Sequence, residues 1–133
     1  MDRRQVKDAW ESAARDYARV RPTDGEDAAL VADLVDSLGP SPTVLDVGCG
    51  DGMRTLANMA DATAIGLDFA HEQVRMAAEN VPDAHLLQGD MVSLPLADDS
   101  VDAVTAYHAV FHVERSRHPA VYEEFERVLR PGG

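Results

Sequence analysis

The 133-residue sequence has one cysteine (Cys49), one lysine (Lys7) and one tryptophan (Trp10). A single cysteine excludes an internal disulfide and gives no sign of an oxidising compartment. No segment approaches the roughly 20 consecutive apolar residues that span a bilayer. The start, Met1-Asp2-Arg3-Arg4-Gln5, lacks the apolar run of a secretion signal, so a cytoplasmic location is expected. Positive charge is also scarce: 12 Lys+Arg against 24 Asp+Glu leaves a net charge of −12. Such a surface repels nucleic-acid phosphates and anionic lipid, and neither nucleic acid nor a membrane is expected as a partner. No linker or low-complexity stretch divides the chain.

What is present is a hydrophobic share of 45%, enough for a globular core, in a length that allows one small domain. The acidity comes from 16 Asp and 8 Glu, set against 11 Arg and the single Lys. Asp excess with almost no Lys fits a chain adapted to high salt, where screening relieves self-repulsion. A GC-rich genome produces the same bias, and unfolding measured in a KCl series separates the two.

Periodicity first marks helices. Val6, Trp10, Ala13, Tyr17 and Val20 recur at helical spacing until Arg21-Pro22. Thr23 or Asp24 then caps a second helix, with Leu30, Val31, Leu34, Val35 and Leu38 on its buried stripe and Gly39-Pro40 at its end. These two helices occupy residues 1–39, ahead of a core over 40–133. In the core, Thr43-Val47, Thr63-Leu67, Ala84-Gln88 and Val101-Tyr107 read as strands. Gly52-Ala60, Ala70-Asn80 and Pro119-Arg130 read as helices. This alternation predicts right-handed βαβ units: an α/β, Rossmann-like, doubly wound parallel sheet.

Asp46, Asp68 and Asp90 close the β runs Val44-Leu45-Asp46, Gly66-Leu67-Asp68 and Gln88-Gly89-Asp90 at a constant spacing of 22 residues. In doubly wound sheets ligands bind outside the carboxyl ends of the strands. Three carboxylates are therefore expected along one edge, although Asp is also favoured in turns.

Val44-Leu45-Asp46-Val47-Gly48-Cys49-Gly50-Asp51-Gly52 carries the most information: a buried strand runs into a glycine-rich turn that lets a ligand approach the backbone. The dinucleotide fingerprint Gly-x-Gly-x-x-Gly requires glycine at position 53, which is Met53. Asp51 also places a carboxylate where a pyrophosphate would sit, so a dinucleotide oxidoreductase is disfavoured. A nucleoside with a cationic end fits better, and S-adenosylmethionine, with its sulfonium and ammonium, is such a ligand.

This stretch resembles the first motif of class I S-adenosylmethionine-dependent methyltransferases, of the small-molecule, type 11-like group. Gly66-Leu67-Asp68-Phe69, Gly89-Asp90-Met91, Leu94-Pro95-Leu96, Ser100-Val101-Asp102-Ala103-Val104 and Leu129-Arg130-Pro131-Gly132-Gly133 continue the pattern in order. The resemblance implies strand order 3-2-1-4 and S-adenosylmethionine as cofactor. It implies that Asp46 faces the methionine end through water, with backbone contacts from Gly48, Cys49 and Gly50. Asp68 would accept both ribose hydroxyls, and Phe69 would pack on the adenine. Asp90 would accept the adenine amino group beside Met91. Tyr107 and His108 would lie near the reactive methyl, with His108 a candidate general base, and Tyr17 would close over the site. The methyl acceptor would be a small molecule.

Other readings of these residues are weaker. Asp46 can brace the glycine turn, and Phe69 and Met91 can be core residues. Cys49 has no adjacent histidine base, so a nucleophile is not expected. His108 and His112 stand four apart without a Glu following His108, so no metal site is expected. His71, His85 and His118 read as solvent-facing. In the family, Leu129-Gly133 leads into a fifth strand, whereas this sequence stops there. The fourth strand is thus expected as an exposed edge, in a fragment or beneath a second copy or partner. The competing function is a non-catalytic or truncated domain that binds the nucleoside without transferring a methyl.

Overall fold

The apolar runs of the core become four parallel strands, in a computed structural model that describes residues 26–107 and 109–133. Helix α1 (Glu26–Ser37) precedes β1 (Thr43–Val47); β2 (Thr63–Asp68), α2 (His71–Asn80), β3 (His85–Gln88), β4 (Ala103–Thr105) and α3 (His118–Val128) follow. The strand order is β3-β2-β1-β4, with every pair parallel, as the sequence predicts. The first predicted helix, over Val6 to Val20, lies outside the described residues.

Strand alternation divides the core into two layers. Val44, Ala64 and Ala103 point to one face, where they meet Val31 and Val35 of α1, Leu56, Met59 and Ala77 of α2. Leu45, Val47 and Leu67 point to the other, against Val113 and against Val121 and Val128 of α3. Helices therefore cover both faces of the sheet, the arrangement that buried parallel strands require. Leu45 is 0% exposed. Truncating a buried leucine of this kind to alanine costs about 2–5 kcal/mol. Among the described residues, no helix is long and apolar enough to cross a membrane.

The long connection from β3 to β4 is held by arginine. Arg127 on α3 donates to the Leu96 and Leu94 carbonyls at 2.8 and 3.0 Å, and pairs with Asp98 and Glu124 at 2.8 and 2.7 Å. Glu124 also accepts the Leu94 amide at 2.7 Å. The hydrogen bond from Arg127 holds the Glu124 carboxyl below its ordinary range. At the start of the sheet, Asp102 accepts the Thr43 amide at 2.8 Å and pairs with Arg130 at 2.9 Å. These partners, the amide first, lower its pKa as well.

Four expectations are corrected. Gly52–Ala60 is not an α-helix: it is a series of turns with one 3-10 turn at Leu56–Asn58. Thr55 occupies the cap position of that turn but makes no capping bond, because its hydroxyl donates to Asp46. The fourth strand is shorter than Val101–Tyr107, since Val101 bridges to Leu129 instead. Leu30 is 65% exposed and leaves the buried stripe to Val31 and Val35. Of the three histidines read as solvent-facing, His71 and His85 are exposed, whereas His118 is half-buried with Nε2 2.8 Å from the Val113 carbonyl.

Candidate functional site

The carboxyl ends of the four strands carry most of the predicted residues. From one sheet edge to the other these are Asp90 beyond β3, Asp68 closing β2, Asp46 within β1, and Tyr107 beyond β4. Tyr17 and His108 lie outside the described residues.

The chain leaves β1 through a tight bend. Gly48 has φ +71°, and a Cβ there would lie 2.5 Å from the Ala109 Cβ, so only glycine fits. The bend is tied across to β2: the Gly48 and Cys49 amides both donate to the Leu67 carbonyl, at 2.7 and 3.0 Å. The Gly50 amide donates to Asp68 Oδ2 at 2.9 Å, and the other Asp68 oxygen accepts the Ala70 amide at 2.9 Å. Asp68 is thereby fixed at the junction of the glycine bend and β2. These three amides are all turned toward β2.

Asp46 is 1% exposed. Its two oxygens accept from two hydroxyls: Thr55 on one side, and Thr105 at 2.7 Å on the other. The Thr105 contact follows from register, because Asp46 and Thr105 are direct partners across β1 and β4. Neither threonine is among the residues predicted from sequence. The signal for Thr105 lies in that pairing, which the sequence alone does not display.

Asp51 is buried, its carboxylate accepting the Met53 amide at 3.1 Å and its carbonyl accepting Asn80 Nδ2 at 2.9 Å. The turn available to a pyrophosphate thus contains a carboxylate, against the chemistry of a dinucleotide. Cys49 is also buried. Burial, then the nearby Asp46 and Asp68 charges, push its thiol well above the usual range, so it stays protonated and unsuited to nucleophilic work.

Asp90 holds a short turn beyond β3, accepting the Val92 amide at 3.1 Å on its side chain and the Ser93 amide at 3.0 Å on its carbonyl. Met91 is 7% exposed and packs into the layer that contains Leu67 and Leu94. Phe69 is half-buried directly after Asp68.

Between α1 and the end of β4 opens a cleft of about 280 Å³, lined by Leu30, Val31, Leu34, Thr55, Thr105, Ala106 and Tyr107. Its walls are largely apolar, and its polar groups are the Tyr107 phenol and the two threonine hydroxyls that bind Asp46. The Arg54 guanidinium lies over the Tyr107 ring, 5.3 Å from its centroid. His112, nearby in sequence, is half-buried, and burial lowers its pKa.

Known proteins share this layout. A sterol 24-C-methyltransferase of Gibberella zeae is 38% identical over 102 residues, covering 71% of this chain and 26% of that protein. An uncharacterized methyltransferase of Synechocystis is 32% identical over 98 residues, covering 73% and 46%. The chain thus spans between a quarter and a half of the length of these relatives. Among solved structures, the YcgJ protein of Bacillus subtilis matches with a TM-score of 0.63 at 30% identity, over 75% of this chain and 45% of that one. The complex between the Haloferax volcanii Trm112 methyltransferase activator and a putative methyltransferase matches with a TM-score of 0.68 at 30% identity, over 100% and 58%. Residues 44–133 match the family described as a methyltransferase domain. That match takes in every element from β1 onward, and the chain belongs to this family, the class I S-adenosylmethionine-dependent methyltransferases.

Proposed function

We propose that the carboxyl edge of the sheet binds S-adenosylmethionine and serves methyl transfer to a small-molecule acceptor. The observation that carries this reading is the bond between the Gly50 amide and the Asp68 carboxylate. It sets a two-oxygen acceptor beside a bend whose left-handed glycine admits close approach. A ribose diol needs such an acceptor, since a carboxylate can receive both hydroxyl protons and donates none.

The residues present fit the rest of the cofactor. Asp46 and its hydroxyl partners suit the methionine end, with the backbone of Gly48, Cys49 and Gly50 alongside. Phe69 suits the adenine face and Asp90 the adenine amino group, next to the Met91 backbone, while the Met91 side chain is committed to the core. Tyr107, with Tyr17 and His108 from outside the described residues, suits the region of the reactive methyl, with His108 as the candidate base where an acceptor must lose a proton. Residues 1–39 would then act as a cap on the core at 40–133.

The cofactor supplies a methyl carbon activated by its sulfonium. The protein's part is to hold that end in place, admit the acceptor on the opposite side and keep water out. Orientation of this kind can lower a barrier by about 7–11 kcal/mol at most.

Calorimetric titration tests the cofactor class. Saturable binding of S-adenosylmethionine, with no competition from NAD, is the expected result. Binding of NAD in preference to S-adenosylmethionine overturns the reading. Release of S-adenosylhomocysteine on addition of candidate acceptors then separates transfer from binding alone.

A further inference from the structure

We propose that Thr55 and Thr105 are positioning residues that turn the buried Asp46 carboxylate into a recognition element for the amino-acid end of the cofactor. This rests on the cofactor reading given above.

The argument starts from proton counting. A threonine hydroxyl has one proton and two lone pairs. In both residues the proton is committed to Asp46: Thr55 donates to one carboxylate oxygen and Thr105 to the other, at 2.7 Å. Each hydroxyl oxygen is left as an acceptor. Both residues also line the cleft between α1 and β4, whereas Asp46 is 1% exposed and is absent from that lining. The carboxylate therefore acts through the threonines. Donation to a carboxylate polarises each hydroxyl and strengthens its oxygen as an acceptor. A group in the cleft thus finds two reinforced acceptors in largely apolar walls, beside the Tyr107 phenol, which favours an N–H donor over an anion.

The two hydroxyls arrive from opposite directions. Thr105 ends β4, opposite Asp46 in the strand register, and Thr55 lies beyond the glycine bend. Their joint hold fixes both carboxylate oxygens, so the two acceptors keep a constant separation. The Arg54 guanidinium lies over Tyr107, which lines the same cleft. The two threonine acceptors match the ammonium of the amino-acid end.

The test compares two nucleosides that differ only at the amino-acid end: S-adenosylhomocysteine, which has it, and 5′-methylthioadenosine, which lacks it. Both are titrated against the full chain and against Thr55→Val, Thr105→Val, Thr105→Ala and the serine variants at both positions. The use of both Val and Ala keeps the readout independent of how one variant folds. Removal of either hydroxyl is expected to weaken S-adenosylhomocysteine by about tenfold or more, the scale of a hydrogen bond to a charged group. Methylthioadenosine should stay within about twofold of its affinity for the unaltered chain, and serine should restore the loss. Equal weakening of both ligands, or no weakening of either, overturns the proposal, since a merely structural role lowers both together. Failure of the unaltered chain to bind either nucleoside overturns the cofactor reading itself.

Discussion

Two regions of this molecule handle carboxylates in different ways. Around α3 and the start of the sheet, acids meet guanidinium groups: Asp98 and Glu124 with Arg127, and Asp102 with Arg130. At the carboxyl ends of β1 and β2, acids are held by neutral donors: Asp46 by two threonine hydroxyls and Asp68 by the Gly50 and Ala70 amides. A guanidinium orients a carboxylate and cancels its charge. A hydroxyl or amide orients it without itself supplying a counter-charge. The first arrangement secures the chain, and the second lies at the sheet edge where cofactor binding is proposed.

Four predictions bear on this contrast, the largest first. Gly48→Ala forces a side chain into a left-handed bend and against Ala109, and is expected to cost about 3 kcal/mol or more by chemical denaturation. Because the same bend positions Asp68, ligand affinity should fall with it. Arg127→Ala should behave differently. It releases Asp98, Glu124 and the Leu94 and Leu96 carbonyls, so the thermal midpoint should drop by several degrees while ligand affinity is unchanged. An equal loss of affinity would erase the distinction between the regions.

Acid sharpens it further. The folded pKa values of Asp102 and Glu124 are lowered, so the stability they contribute is present above their ordinary values of 3.8 and 4.5. It is lost as pH falls below those values toward the lowered ones. The thermal midpoint between about pH 6 and about pH 3 should therefore decline, with a smaller decline in Arg127→Ala, which has already lost the Glu124 pair. The smallest effect concerns the net charge of −12. If the acid excess serves high salt, added KCl should raise the midpoint, through the solvated acids more than through the ion pairs. A flat or falling midpoint would favour genome composition as its origin.

How much of this was legible in sequence depends on whether contacts are local. Three of the four strand positions and the glycine bend follow from period, turn residues and motif, and the sheet order from the family resemblance; the structure reproduces these and shortens the fourth strand. The site's second layer does not follow in this way. Thr105 reaches Asp46 through a partner 59 residues away, and that pairing exists only once β1 and β4 are in register. The same contact network hides the true form of Gly52–Ala60, where composition favours a helix and Thr55 is diverted to Asp46. Leu30 sits at the margin of the helical stripe, one residue before Val31, and turns toward the cleft instead of the core. Arg127 was equally opaque, because its acceptors at Leu94 and Leu96 lie in a connection that sequence reads only as a loop.

The central claim is that the carboxylates at the carboxyl edge of the sheet hold the cofactor. The most direct measurement is the affinity of Asp68→Ala for S-adenosylmethionine by calorimetry, with the unfolding midpoint recorded on the same sample. Loss of the diol acceptor predicts a fall of about 10–100-fold, with the midpoint lowered by a few degrees as the Gly50 and Ala70 amides lose their partner. Retention of full affinity in a folded Asp68→Ala would contradict the account.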